Sequence, residues 1–172
     1  MKTAREYKDS LRDRNIKVYL KGELLDPKTL IDHPFVRGHV NSAAMTYALA
    51  STKEYEDLMT ATSHLTGRKI NRFTHIHQST DDLVKKVKML RMISQKTGTC
   101  YQRCVGFDAM NATYSVTYEC DQAMGTNYHE RFKKFLTYVQ DNDLMIAGAM
   151  TDVKGDRSLR PGQQKDPDLF VH

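Results

Sequence analysis

Two cysteines stand four residues apart in the segment TCYQRCVG, which covers residues 99–106. On a continuous helix, Cys100 and Cys104 would share one face, with their Cβ atoms about 6 Å apart. That separation is wide for a disulfide, whose Cβ atoms are about 4 Å apart, but it suits two thiolates that bind one metal ion or one edge of a cluster. The alternative is a pair of buried, inert thiols, because a free cysteine packs as a small hydrophobic residue. The spacing by itself favours this alternative.

Two glycines flank the cysteine pair. Gly98 and Gly106 would allow a bulky group to approach the backbone closely, which strengthens the ligand interpretation. Two thiols leave a tetrahedral site incomplete. The sequence holds no Cys-x-x-Cys pair and only one further cysteine, Cys120. We therefore expect any remaining ligands to come from elsewhere.

Two histidines form a weaker candidate. His75 and His77 would lie on one side of a strand and could then bind a metal. In a loop, a structural role is more common, and we favour that interpretation.

A polar segment follows later in the chain, MTDVKGDR at residues 150–157. Its backbone N–H groups, together with Lys154 and Arg157, could hold an anionic ligand or a ring edge. A hydrophilic linker between domains is the alternative. Neither a GxGxxG nor a Walker A motif is present, so a Rossmann or P-loop nucleotide site is not supported.

The composition is that of an ordinary globular protein, with 172 residues, 40% hydrophobic and 27% charged. No apolar run is long enough for a membrane span, and the charged start lacks the apolar region of a signal peptide. We expect a cytoplasmic protein with no membrane partner, and three cysteines do not make a disulfide framework. The net charge of +5 is spread over amphipathic helices. No nucleic-acid partner is therefore predicted, although the basic surface could attract the phosphates of CoA or a flavin.

Hydrophobic periodicity and caps predict a mainly α fold with one small β hairpin. The hairpin is predicted from a strand over 16–20 that pairs with Leu24 and Leu25. A further short strand is predicted around 69–73. The predicted helices cover residues 3–14, 40–51, 53–60, 79–97, 99–124 and 127–141. The helix over 99–124 carries few charges, so we expect it to be buried on most sides.

The chain changes character near residue 147. Residues 1–147 are predicted to form a helical N-terminal domain. Residues 148–172 contain Gly, Pro and Asp without helical periodicity and end in DLFVH, which is typical of a strand that is just beginning. We interpret 148–172 as a junction and the first strand of a truncated β domain.

Four segments together resemble a known family. They are HQSTDDLVKKVKMLR, QKTGTCYQRCVGFDAMNA, GTNYHERF and AMTDVKGDRS. They are similar to the N-terminal part of the 4-hydroxybutyryl-CoA dehydratase/vinylacetyl-CoA Δ-isomerase family, and the resemblance covers essentially the whole chain. The wider superfamily includes the flavin-dependent 4-hydroxyphenylacetate 3-monooxygenases. The resemblance implies the N-terminal helical domain of an acyl-CoA-dehydrogenase-like fold.

The resemblance also implies cofactors, partners and residue roles. The family binds FAD and a [4Fe-4S] cluster, acts as a homotetramer, and converts an acyl-CoA substrate, 4-hydroxybutyryl-CoA, to crotonyl-CoA by a radical mechanism. Cys100 and Cys104 would be two of four cluster ligands, with a His and a Cys beyond residue 172 as the others, and Cys120 would be a packed thiol. Gln102 would be a catalytic neighbour of cluster, flavin or substrate. The implied FAD contacts are Met150, Thr151, Lys154, Asp156 and Arg157.

One departure separates the two branches of the superfamily. The hydroxylases carry an Arg-x-Pro-Asp-Tyr-type segment where this chain has VGFDA at residues 105–109, and this favours the dehydratase branch. A flavin monooxygenase and a non-catalytic helical module remain the alternatives. With half of the implied cluster ligands, the chain alone is expected to be inactive.

Overall fold

The computed structural model describes residues 1–14, 16–148 and 154–168. Helices form most of its regular structure, and the mainly α prediction is confirmed. The helices are α1 (Ala4–Arg12), α2 (Arg37–Ala50), α3 (Glu56–Met59), α4 (Thr80–Thr97), α5 (Cys104–Met124) and α6 (Tyr128–Asp141). The strands are β1 (Val18–Leu20), β2 (Glu23–Leu25), β3 (Thr60–Thr62) and β4 (Lys69–Asn71). Short 3-10 helices cover Leu30–Asp32, Lys53–Tyr55, Arg72–Thr74 and Pro161–Gln163.

The predicted N-terminal hairpin is present. Strands β1 and β2 pair antiparallel, with Val18 opposite Leu25. Lys21 and Gly22 form the two-residue turn with φ angles of 52° and 88°. Positive φ at both turn residues gives the backbone twist that matches two right-twisted strands.

A second hairpin joins β3 to β4, with Thr60 opposite Asn71 and Thr62 opposite Lys69. The strand expected around 69–73 is therefore confirmed as β4. The sequence did not predict β3, because its three residues follow α3 directly and are too few to show alternation. The hairpin leads into the buried residues 71–76, which pass beneath α4 and α5.

Capping residues set the start of α4 and the ends of α4 and α5. The Ser79 hydroxyl accepts a hydrogen bond from the Asp82 backbone N–H at 3.2 Å, which caps the start of α4. Gly98 and Gly125 end α4 and α5 in the left-handed conformation, with φ of 59° and 63°. Glycine adopts this conformation without a Cβ penalty.

The helix predicted over 99–124 begins only at Cys104, so the first part of that prediction is wrong. Gly98 reverses the chain after α4, and Gln102 adopts a second left-handed conformation with φ of 64°. Both interrupt helical hydrogen bonding. Cys100 therefore lies in a loop, and the two cysteines do not share a helix face.

The burial predicted for α5 is also wrong. Within α5 only Gly106, Phe107 and Met110 are buried, while Val116 and Tyr118 are each 54% exposed. On α6, Tyr128 and Phe135 are exposed as well. The buried residues of α6 are Leu136, Val139 and Gln140. Low charge does not by itself imply burial, because folded surfaces carry much apolar area.

The core nearest the cysteine segment joins four helices and the 71–76 segment. Its buried residues are Leu49, Ala50, Met59, Phe73, Met89, Ile93, Tyr101 and Phe107, and Cys104 packs against them. The core therefore forms a rigid base beneath the start of α5.

The domain boundary near residue 147 remains a prediction. The strand expected over 168–172 falls almost entirely outside the described residues. Between 154 and 168, the described regular structure is the 3-10 turn at Pro161–Gln163.

Candidate functional site

The segment that joins α4 to α5 alternates between exposed and buried side chains. Cys100 and Gln102 are exposed, whereas Tyr101 and Arg103 are 6% and 1% exposed, and Cys104 is half-buried as the first residue of α5. The buried side chains of Tyr101 and Arg103 anchor the segment to the core. Cys100 and Gln102 are left accessible to a ligand.

Gln102 stores backbone strain between the two cysteines. Its φ of 64° is left-handed, which costs a non-glycine residue about 1–2 kcal/mol. Such strain persists where the surroundings hold it, and it concentrates at ligand sites. The Gln102 side chain itself is exposed.

Tyr101 fixes the segment from one side. Its ring packs against Phe73 with centroids 5.9 Å apart. Burial raises the pKa of Tyr101 and outweighs the opposing effect of a hydrogen bond with Ser94.

Arg103 fixes the segment from the other side. Its guanidinium lies between the rings of Tyr47 and Phe73, 4.5 and 4.8 Å from their centroids. One Nη donates to the Thr46 hydroxyl at 3.0 Å, and the other lies 3.7 Å from an Asp143 carboxylate oxygen. Burial lowers the pKa of this guanidinium.

The residues around Arg103 link it to the N-terminus. The Tyr47 hydroxyl donates to the Asp143 carbonyl at 3.2 Å, and the Tyr7 and Tyr47 rings stack 4.7 Å apart. Burial raises the pKa of Tyr47 to about 12. The Asp143 carboxylate also accepts the Lys2 backbone N–H at 2.9 Å. Helices α1 and α2 and the chain after α6 thus meet around one buried cation.

The chain after α6 crosses the first turn of α5 at very close range. A Cβ built on Gly106 would lie 1.9 Å from the Ile146 carbonyl oxygen, and one on Gly148 would lie 2.2 Å from a Val105 methyl carbon. A group does approach the backbone closely at Gly106, but that group is Ile146 of the same chain and not a ligand. At Gly98, a Cβ would meet nothing within 4 Å in the described structure, and its role is to end α4.

The predicted flavin contacts are only partly described. Met150 and Thr151 lie outside the described residues. Lys154, Asp156 and Arg157 are exposed. Hydrogen bonds from the Ser158 hydroxyl and backbone N–H lower the pKa of Asp156, and Gln164 closes the loop by bonding both backbone polar groups of Asp156. The loop is ordered by its own contacts and leaves both cationic side chains at the surface.

Sequence reasoning missed a buried ionic network under the β3–β4 hairpin. Arg72 donates to the carbonyls of Leu58, Asp57 and Thr60 and to the Asp82 carboxylate. A polar cleft of about 760 Å³ opens beside it. Nothing in the sequence distinguishes Arg72 from a surface arginine. The helix cap at Ser79 was the one local signal that indicated where Asp82 lies.

His75 belongs to this network. Its Nε2 lies 3.2 Å from the Asp82 carboxylate. Burial lowers the pKa of His75 and outweighs the opposing effect of Asp82. Burial alone would raise the pKa of Asp82, but hydrogen bonds from Gln78 and His75, together with nearby positive charge, hold that pKa far below its ordinary value. His75 is thus a structural partner of Asp82.

His77 turns away from this network. Its ring packs on Phe107 at 5.0 Å, and its centroid is 6.4 Å from that of His75. Among the described residues, no group of three or more His, Cys, Asp or Glu side chains could hold a metal ion. In this structure His75 pairs with Asp82 and His77 packs on Phe107.

Cys100 and Cys104 fit part of a cluster site. Thiolates are the donors that iron–sulfur clusters use, one thiol is exposed, and the other packs at the edge of the core. Their segment is held by two buried side chains, as a binding site requires. Two thiols supply half of a four-ligand set, so the remaining donors would have to come from outside the described residues.

The family model described as the N-terminal region of 4-hydroxyphenylacetate 3-hydroxylase matches residues 3–172. The chain belongs to this family. Within the family it is 57% identical, over 169 residues, to the 4-hydroxybutyryl-CoA dehydratase/vinylacetyl-CoA-Δ-isomerase of Clostridium aminobutyricum, with 98% of this chain and 34% of the relative covered. The resemblance seen in the sequence is confirmed.

Solved structures give the same result. An oxygen-tolerant archaeal 4-hydroxybutyryl-CoA dehydratase from N. maritimus superposes with a TM-score of 0.85 and 52% identity, covering 98% of this chain and 33% of that one. The oxygenase component of 4-hydroxyphenylacetate 3-monooxygenase, solved with FAD and 4-hydroxyphenylacetate, shares the fold at a TM-score of 0.70 and 22% identity, with 97% and 34% covered.

The hydroxylase branch is also represented among curated relatives. The oxygenase component of the Thermus thermophilus 4-hydroxyphenylacetate 3-monooxygenase is 24% identical over 99% of this chain and 34% of its own length. The chain thus spans about a third of the length of the curated relatives that it matches. In the part of the chain that the structure describes, no helix is long and apolar enough to cross a membrane.

Proposed function

We propose that this chain is part of an enzyme that dehydrates 4-hydroxybutyryl-CoA to crotonyl-CoA and isomerises vinylacetyl-CoA. The observation that carries the proposal is the 57% identity with the Clostridium aminobutyricum enzyme over 169 residues. The hydroxylase relative is only 24% identical over a similar span. The proposal includes a cytoplasmic homotetramer as the working form.

Cys100 and Cys104 are proposed to bind one edge of a [4Fe-4S] cluster. Their thiolates, once deprotonated, would hold the cluster against the start of α5, where Cys104 already packs on the core. The other two ligands, a His and a Cys, are proposed to lie beyond residue 172. This completes the four-ligand set that the described residues leave open.

Gln102 and residues of the 150–157 segment are proposed to contact substrate and cofactor. The exposed Gln102 amide lies between the two thiols in sequence and can both donate and accept hydrogen bonds, which suits orientation of a substrate hydroxyl or thioester carbonyl. Met150, Thr151, Lys154, Asp156 and Arg157 are proposed FAD contacts. Lys154 and Arg157 would attract phosphate.

The packing of residues 144–148 on α5 supports this arrangement. Because Ile146 touches Gly106, the chain that leads toward residues 150–157 crosses the first turn of α5, two residues beyond Cys104. When bound, the cluster would supply a Lewis acid for the leaving hydroxyl and FAD would supply one-electron redox chemistry. The residues of this chain contribute by binding, orienting and anchoring.

A flavin-dependent 4-hydroxyphenylacetate 3-monooxygenase is the second candidate. The match to the family model over residues 3–172 and the shared fold favour it. It requires no cluster, so Cys100 and Cys104 would then be ordinary packed or exposed thiols.

The substrate that the enzyme converts distinguishes the dehydratase from the monooxygenase. A full-length protein carrying this chain, loaded anaerobically with iron, sulfide and FAD, should convert 4-hydroxybutyryl-CoA to crotonyl-CoA. The 172-residue chain alone should not. Hydroxylation of 4-hydroxyphenylacetate with reduced flavin and oxygen, without crotonyl-CoA formation, would establish the second candidate. Turnover by the isolated chain would contradict the proposed incompleteness of its site.

A further inference from the structure

The backbone between the two cysteines is held by one buried cation. Arg103 immediately precedes Cys104, and its carbonyl accepts the Phe107 N–H at 3.0 Å, which closes the first turn of α5. Its side chain is 1% exposed. The buried side chain therefore anchors the backbone from which α5 and Cys104 begin.

The contacts of Arg103 define its orientation on every side. Two aromatic faces, from Tyr47 and Phe73, enclose the planar guanidinium, and the Thr46 hydroxyl accepts from one of its ends. Tyr101, the other inward side chain of the segment, packs on the same Phe73 ring. One aromatic ring thus holds both inward residues that separate the cysteines.

Stability alone does not explain a charge at this position. Within the described structure, one Nη of Arg103 and one carboxylate oxygen of Asp143 are buried without a hydrogen-bond partner, because the 3.7 Å between them exceeds hydrogen-bond length. Apolar residues that replace a buried ion pair often leave stability unchanged or improve it. What arginine adds is a rigid plane that stacks on both rings, and so a defined geometry.

We propose that Arg103 is a positioning residue that sets the placement of Cys104 relative to Cys100. It acts through the backbone of the first turn of α5 and the shared contact with Phe73. This inference rests on the proposed function, because the placement matters only where both thiols bind one ligand. It assigns no contact between Arg103 and substrate or cofactor.

The test uses a cluster-free, full-length protein and measures the alkylation rate of each cysteine by mass spectrometry. Arg103→Met removes the charge and the planar group. Arg103→Lys keeps the charge, and Thr46→Val removes only the hydroxyl acceptor, so these two variants remain informative where Arg103→Met does not fold. Arg72→Met is the matched control, since Arg72 is also buried, at 3% exposed. Cys120, half-buried further along α5, is the internal reference.

We expect Arg103→Met to raise the Cys104 alkylation rate about tenfold relative to Cys120, because the first turn of α5 opens locally. Arg103→Lys and Thr46→Val should give smaller rises, and Arg72→Met should leave the ratio unchanged. A parallel rise at Cys104 and Cys120, or no change at Cys104, would overturn the inference.

Iron and sulfide reconstitution gives a second readout. If wild type gains the visible absorption of a cluster, the Arg103 variants should gain less than Arg72→Met at equal folded fraction, and equal gains would overturn the inference. If wild type gains none, the proposed function fails, while the alkylation ratio still decides the role of Arg103.

Discussion

Gly106 and Ile146 touch backbone to backbone at the start of α5. A Cβ on Gly106 would lie 1.9 Å from the Ile146 carbonyl oxygen, a distance that no side chain can accept without a shift of one segment. This contact joins the helix that begins with Cys104 to the chain that leads toward residues 150–157. Within the described residues, this contact connects the start of α5 with the chain that leads toward the proposed flavin segment.

Replacement of Gly106 by alanine should therefore be destabilising. We expect Gly106→Ala to lower the free energy of unfolding by about 2–3 kcal/mol, since the clash is with backbone rather than a flexible side chain. Gly38→Ala is the matched control, because Gly38 lies near the start of α2 with nothing within 4 Å of a built Cβ in the described structure. That change should stabilise by about 0.5 kcal/mol. Urea unfolding measures the free energy of unfolding of both variants. Equal changes in Gly106→Ala and Gly38→Ala would refute the close approach at Gly106.

Two substitutions at Gln102 separate the effect of its strained backbone from that of its side-chain amide. Gln102→Gly should stabilise the fold by up to about 1 kcal/mol, because glycine adopts φ of 64° without strain. Gln102→Ala keeps the strain and should not. If the amide orients substrate, both variants should bind the cluster normally and lose turnover. Full activity in Gln102→Ala would rule out a catalytic role for the side chain.

The Arg72–Asp82 pair predicts a specific pH dependence. The folded-state pKa of Asp82 is lowered, so its stabilising contribution is present above the ordinary aspartate pKa of about 3.9 and is lost as pH falls toward the folded-state pKa. Asp82→Asn should cost roughly 2 kcal/mol at neutral pH, because it leaves the Arg72 charge buried and unpaired.

The stability difference between wild type and Asp82→Asn should then shrink as the pH is lowered below about 4. Denaturant unfolding at several pH values checks this. A difference that stays constant between neutral and strongly acidic pH would contradict the ionic role of Asp82.

Much of the fold was predictable from local signals. The Ser79 cap, the Gly98 and Gly125 stops and the Lys21–Gly22 turn each satisfy backbone requirements over a few residues. Such requirements are visible in sequence because they depend on near neighbours.

The predictions that failed depend on distant contacts. The helix predicted to begin at residue 99 starts five residues later. Gly98 and Gln102 interrupt the helix there, and Tyr101 and Arg103 pack inward on Phe73, a contact that the local sequence does not reveal. Burial of Arg72 and Arg103 was missed for the same reason, since arginine is usually exposed. Which face of α5 is buried depends on its packing against α6 and cannot be read from low charge.

The candidate site, like the fold, could be predicted from the sequence only in part. The type and spacing of the two cysteines marked the segment as a candidate. The structure replaces the predicted shared helix face with an exposed Cys100 in a loop and a half-buried Cys104 at the start of α5. The roles of Cys100, Cys104, Gln102 and the 150–157 segment remain predictions.

The central claim is that Cys100 and Cys104 bind an iron–sulfur cluster. The most direct measurement is the visible spectrum of a full-length protein carrying this chain after anaerobic iron and sulfide reconstitution. Wild type is compared with Cys100→Ala, Cys104→Ala and the control Cys120→Ala. We predict broad cluster absorption in wild type and Cys120→Ala that either of the other substitutions abolishes. Equal absorption in all four proteins, or none in wild type, would contradict the account.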